Sequence, residues 1–173
     1  SASERAAGAA DELVMRARAF ARVGDMTRAA QYFTAALARG ADEPTVTPLL
    51  LEVYVRSRRY RVAIDRGEGY LGRHPDDAAV RFLVASLHLA VGAAAVASAH
   101  LERVVAVAPD CAEAHFALGE LLRDRRGDPE RARAHLRRYL ELAPRGPHAA
   151  AARAALGEDG VAVELEPRSE QDG

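Results

Sequence analysis

The sequence has no lysine, no asparagine and no tryptophan, and only one cysteine (Cys111) and one isoleucine (Ile64) in 173 residues. Each shortage excludes a chemistry. Without lysine there is no Schiff-base nucleophile and no phosphate-loop lysine. A single cysteine excludes an internal disulfide framework and a four-cysteine zinc site. Without asparagine and with one isoleucine, little hairpin chemistry is left. No apolar run reaches the ~18 residues that a membrane-spanning helix needs. Charge of one sign is lacking too: 24 basic and 25 acidic side chains leave a net charge of -1, which argues against a globally basic nucleic-acid binder. Residues 1–8 are small and polar and lack the basic-then-apolar pattern of a signal peptide. The lone thiol points weakly to a reducing compartment, so the expected location is cytoplasmic, with an upstream signal or anchor left open.

What is present favours helix. The chain carries 39 alanines, and all 24 of its basic residues are arginine. Alanine, leucine and arginine are strong helix formers. The composition changes near residue 157. Residues 157–173 carry six acids and one arginine, a net charge of -5, which leaves +4 on residues 1–156. Gly157, Gly160 and Pro167 interrupt helix there, so 157–173 is read as an acidic flexible tail and 1–8 as a flexible N-terminus.

Between them runs a period. Ala29, Ala63 and Ala97 are 34 residues apart, and Ala132 follows 35 later. Gly24, Gly92 and Gly127 each stand five residues before one of these alanines, and Arg58 takes that place in the second unit. Pro75 and Pro109 keep the same spacing, with Pro144 following 35 residues on. Three markers sharing one register define a repeat of two helices. In the first unit Leu13, Ala17 and Phe20 have helical spacing, Gly24 stops the helix, and Asp25 is placed to cap the next. In the fourth, His115, Leu118, Gly119 and Leu122 line one helix. Gly127, Asp128 and Pro129 then supply stop, cap and first turn. The small residue at each 29-type position lets two antiparallel helices approach closely.

These residues resemble the tetratricopeptide repeat family, whose 34-residue helix–turn–helix unit carries an aromatic–Leu–Gly–aromatic pattern, an alanine, an aromatic and a closing proline. The fourth unit carries the resemblance best, through Leu118, Gly119, Ala132 and Pro144, with His115 in the usual tryptophan place. The resemblance implies an all-α fold, an α-solenoid of about four helix pairs over 9–41, 45–75, 78–109 and 111–144. A capping helix over 147–156, started by Pro147, would complete the body at 9–156. Pro48 interrupts the second unit. It predicts a late helix start, with Thr47 as cap and 40–47 as a long loop.

No catalytic constellation stands out, and no cofactor or metal site is expected. His88 and His115 fall where the repeat buries an aromatic, so both are read as packed, hydrogen-bonded core histidines. Cys111 is read as a structural thiol. The arginine clusters at 56–61 and 123–138 are interleaved with acids and are read as solvated faces.

The resemblance implies a non-enzymatic scaffold or adaptor. Its alternatives are a bacterial assembly or secretion chaperone, or an accessory domain of a larger enzyme. It also implies a concave groove lined by the first helix of each pair. The groove positions carried over are Val14, Arg18, Ala21 and Arg22; Glu52, Val55 and Arg56; Phe82, Ser86 and Leu89; and Phe116, Glu120 and Arg123. Phe82, Leu89 and Phe116 would make an apolar patch, with Phe82 and Phe116 equally readable as core. Arg18, Arg22 and Arg56 would make a basic wall. A protein or peptide segment with apolar anchors and acidic residues would complement both, with no nucleic acid and no membrane insertion, on a monomer or weak homodimer. The clamp of lysines and asparagines by which some members hold chaperone C-termini has no counterpart in this sequence.

Overall fold

The computed structural model describes residues 2–124 and 128–157, with the side chains of 2–6 left undescribed. The expected tail beyond Gly157 and the turn at Gly127 therefore lie outside the described residues. Among the described residues the fold is all-α, with nine helices and no strand. It divides into two compact units, residues 1–107 and 108–157.

The first unit holds α1 (Ala2–Arg22), α2 (Met26–Ala38), α3 (Glu43–Arg56), α4 (Tyr60–Arg73), α5 (Ala78–Ala90) and α6 (Ala94–Val107). Each helix packs on the next from α1 to α6. The pairs α1/α2, α3/α4 and α5/α6 are the first three repeats. Ala29, Ala63 and Ala97 show no exposed surface, which is the burial their period predicts. The turns follow the register too. Gly24 and Gly92 have φ of +86° and +80°, and Arg58, the residue in the same repeat position, has φ of +57°. The position thus demands the left-handed conformation that glycine adopts freely and that costs a side-chain-bearing residue about 1–2 kcal/mol. Aspartates start the helices: Asp25 Oδ1 accepts from Arg28 N at 2.9 Å, and Asp77 Oδ1 from Val80 N at 3.0 Å.

Three expectations about element ends are corrected. Helix α1 begins at Ala2, so the segment read as flexible is helical from its second residue. Helix α9 begins at Ala149, with His148 rather than Pro147 leading into it. Helix α3 begins at Glu43, capped by Asp42, and runs through Pro48. Pro44 sits in its first turn, where a missing N–H is harmless. Pro48 lies a turn further in and forfeits a hydrogen bond, at about 3 kcal/mol. Burial outweighs that penalty. Val46, Leu50 and Leu51 are 2 %, 1 % and 0 % exposed, and each contributes about 1.5–3 kcal/mol.

The early start of α3 also supplies a tie. Glu43, the first residue of α3, reaches the end of α4, where Arg73 donates from Nε at 3.1 Å and from Nη2, and His74 Nε2 lies 2.9 Å away. The Arg73 guanidinium, followed by His74, lowers the Glu43 carboxyl to about 2.

The second unit holds α7 (Ala112–Asp124), α8 (Pro129–Leu142) and α9 (Ala149–Leu156). The α7/α8 pair is the fourth repeat, and α9 packs on α8. Asp128 Oδ1 accepts from Arg131 N at 2.9 Å, and Pro129 occupies the first turn of α8, as the sequence predicts. Helices α7 and α8 approach closely at Gly119. A Cβ there would stand 2.8 Å from Leu136 Cγ and 3.2 Å from the Ala132 carbonyl. Ala149, Ala152 and Leu156 are buried against Leu136 and Tyr139, so α9 covers the last pair.

Two outcomes are expected in chemical denaturation. Gly119→Ala should lose about 1–3 kcal/mol by overpacking. Arg58→Gly should gain roughly 0.5–1 kcal/mol, because relief of the left-handed strain exceeds the entropic cost of glycine. The Glu43 tie has a pH signature. A carboxyl whose folded pKa is depressed stabilises fully above its unfolded value, ordinarily near 4.5, and loses that contribution as pH falls toward about 2. Wild type should therefore exceed Glu43→Gln in stability at pH 7, with the gap closing between pH 4.5 and 2. A gap independent of pH would show that the carboxylate charge is not what holds the helices.

Candidate functional site

Helices α1, α2 and α3 line an open cleft of about 480 Å³. Arg18, Ala21 and Arg22 project into it from α1, and Glu52 and Arg56 from α3. The spacing Arg18/Arg22 and Glu52/Arg56 is four residues, which stacks each pair on one helix face. Phe33, Leu49 and Val53 form the apolar floor. All three arginines are exposed. Among the described residues no hydrogen bond or ion pair engages them. Elsewhere many arginines are satisfied, as in Arg16–Glu12, Arg28–Asp25, Arg73–Glu43 and Arg138–Glu141. The three arginines that the resemblance places on a groove wall thus stand around one apolar floor, beside Glu52.

The other expected groove residues are distributed differently. Val14 and Val55 are half-buried against the core of the first unit. Phe82, Ser86 and Leu89 lie along α5, all half-buried, and the Ser86 hydroxyl donates to the Phe82 carbonyl at 2.9 Å. In the second unit Glu120 pairs with Arg123 at 2.9 Å. Phe116 is the chief departure. Its ring stacks on His148 with centroids 4.2 Å apart and planes 6° from parallel, and it tilts against Tyr139 at 5.3 Å. The Tyr139 hydroxyl also accepts from His148 N at 2.9 Å. Phe116 therefore spends its ring on the α8–α9 packing, the core alternative left open by its spacing.

The histidines form hydrogen-bonded structures that the sequence reading foresaw only in part. His88 and His115 are buried, each 8 % exposed. In the third repeat Arg81 Nη2 donates to the Pro75 carbonyl at 2.7 Å, and its Nη1 lies 3.3 Å from His100 Nδ1. In the fourth, His115 Nε2 donates to the Pro109 carbonyl at 3.1 Å, and its Nδ1 lies 2.9 Å from His135 Nδ1. Arg81 and His115 are 34 residues apart, as are Pro75 and Pro109, while His100 and His135 are 35 apart. One relay, from closing proline to first helix to second helix, is thus built twice with different side chains. The spacing of the prolines and of His100 and His135 was the available signal. The exchange of arginine for histidine in the middle hid it.

A second group surrounds His88. Its Nε2 lies 2.7 Å from Glu68 Oε1, and His100 Nε2 lies 3.7 Å from the same oxygen. The two rings stack at 5.4 Å. Burial, then the positive charge of Arg81, lowers the His100 pKa.

The comparisons with known proteins agree with this architecture. Residues 85–147 match the sequence model of the tetratricopeptide repeat family. No curated protein sequence matches the chain. Among solved structures, a tetratricopeptide repeat protein from Parabacteroides merdae aligns at a TM-score of 0.77 and 20 % identity, covering 86 % of this chain and 59 % of that one. The chain thus spans about three fifths of that protein. YrrB, described as a tetratricopeptide repeat protein with an unusual peptide-binding site, aligns at 0.70 and 18 % identity, covering 84 % of this chain and 75 % of its own. MamA from Desulfovibrio magneticus aligns at 0.70 and 19 % identity, with 86 % of each chain covered. Fold and register together define a helical-repeat protein of the α-solenoid class. The family match lies within that repeat array, at residues 85–147. No described helix is long and apolar enough to cross a membrane.

The position of Phe116 makes Phe116→Ala a test of packing. It should lower unfolding stability by about 2–3 kcal/mol, somewhat below the ~3–5 of a fully buried phenylalanine. A change under about 0.5 kcal/mol would mean that the ring is not part of the core.

Proposed function

We propose that the chain is a non-enzymatic interaction scaffold whose first unit holds an acidic, apolar-anchored segment of a partner protein. The observation that carries this reading is the α1–α3 cleft. Three unpaired guanidinium groups stand over a floor of Phe33, Leu49 and Val53. Guanidinium groups favour carboxylates because their planar donors match the two oxygens, and an apolar floor rewards a leucine-sized or aromatic anchor. A stack of helix pairs also offers extended surface in place of an enclosed reaction chamber. The half-buried single thiol, Cys111, accords with a reducing, cytoplasmic setting.

Fluorescence anisotropy with two labelled dodecapeptides tests this. Both carry the same leucine anchors, one with a glutamate-rich end and one with arginine in those places. The acidic peptide should bind at least tenfold more tightly, with an affinity that falls as salt rises. An Arg18→Glu/Arg56→Glu variant of unchanged helicity should lose that preference. Equal binding of the two peptides, or full binding by the folded variant, would remove the cleft as the working surface.

A further inference from the structure

We propose that Glu68, His88 and His100 form a binding site for a first-row transition cation of the zinc class, joining α4, α5 and α6. One donor atom from each residue lies within 4.8 Å of the other two. Zinc bonds of about 2.0–2.1 Å to nitrogen and oxygen put tetrahedral ligands ~3.3 Å apart. The Glu68–His88 and Glu68–His100 distances, 2.7 and 3.7 Å, bracket that value. Two imidazoles and one carboxylate form a donor set that suits zinc, and they leave a fourth position for water.

The surroundings suit an ion that arrives from solvent. The Glu68 side chain is 46 % exposed and forms the open side, while the His88 and His100 side chains are 11 % and 16 % exposed. His88 Nδ1 is buried and has no hydrogen-bond partner among the described residues. Glu68 alone therefore holds this ring by hydrogen bonding, through Nε2, and an ion can take the place of that hydrogen bond. The rings lie 15° from parallel, so their in-plane lone pairs run side by side, and His100, the more exposed of the two, turns to bring both donors onto one ion.

Arg81 opposes the ion and gives the proposal a second handle. An arginine only donates, so its Nη1 contact makes His100 Nδ1 the acceptor and leaves the ring proton on Nε2, facing Glu68. A cation on Nε2 moves that proton to Nδ1, against the guanidinium. Arg81 must then give up this contact, keeping its bond to the Pro75 carbonyl. Arg81 thus weakens the site, both by its donor and by its charge.

The experiment is isothermal titration of the untagged chain with Zn²⁺ at fixed neutral pH, with Co²⁺ absorption reporting coordination and circular dichroism confirming helicity. Wild type should bind one Zn²⁺ per chain and melt at a higher temperature with it. Glu68→Gln, a change at an exposed side chain that keeps an acceptor for His88, should weaken binding at least tenfold, as should His100→Ala. Arg81→Ala should bind at least as tightly as wild type. The proposal is overturned if wild type shows no saturable binding, or if Glu68→Gln and His100→Ala bind like wild type. Loss of the ion in His74→Ala or His135→Ala, with Glu68→Gln unaffected, would likewise overturn it by placing the ion elsewhere.

Discussion

The close approach of paired helices is the constraint on which the rest depends. Ala29, Ala63, Ala97 and Ala132 show 0–2 % exposure, and Gly119 has no room for a methyl group. With backbones this near, the larger side chains must interdigitate around the small ones. Tyr70, Tyr139, Phe33 and Leu101 are accordingly buried almost completely. The turns inherit the same constraint. A short connection between closely packed antiparallel helices needs a left-handed residue, and the chain adopts one even at Arg58.

The repeat was legible in the sequence because its markers answer to backbone geometry. A small residue, a left-handed turn residue and an aspartate cap each have a local physical cause, and each recurs in register. Element ends were less legible. Pro48 looked like a helix start because local propensity places proline in a first turn, yet buried Val46, Leu50 and Leu51 carry the helix through it. The Glu43 tie was hidden for the same reason, since a loop position gives no fixed face to present to Arg73 and His74. At the candidate site, Arg18, Arg22 and Arg56 were expected together only from the groove positions that the family resemblance implies, and they line one cleft. Phe116 was ambiguous, because a half-buried aromatic on an amphipathic face serves a groove or a core equally well until its neighbours are known. The Glu68–His88–His100 group was invisible, because it joins the second helix of one repeat to both helices of the next.

Charge is arranged with some economy in a chain whose only strong cation is arginine. Where a guanidinium meets a carboxylate at a helix end, as in Arg73 with Glu43, the pair binds neighbouring helices together. Where it sits four residues from an acid on one helix, as in Arg16 with Glu12, the pair is exposed and contributes little to stability. Arg18, Arg22 and Arg56 fit neither pattern. They share one rim with Glu52, and the proposed acidic partner would supply the counter-charge they lack.

The twice-built relay from closing proline to first helix to second helix bears on how the array comes apart. Arg81 and His115 each grip the carbonyl of the proline that ends the preceding repeat, and at the same time touch a histidine across their own helix pair. A tether shared by a linker and a hairpin couples the two within one repeat. Separating the paired helices would strand these polar groups without their partner, so opening a hairpin carries a penalty. Linker, first helix and second helix of each such repeat are thereby expected to open together.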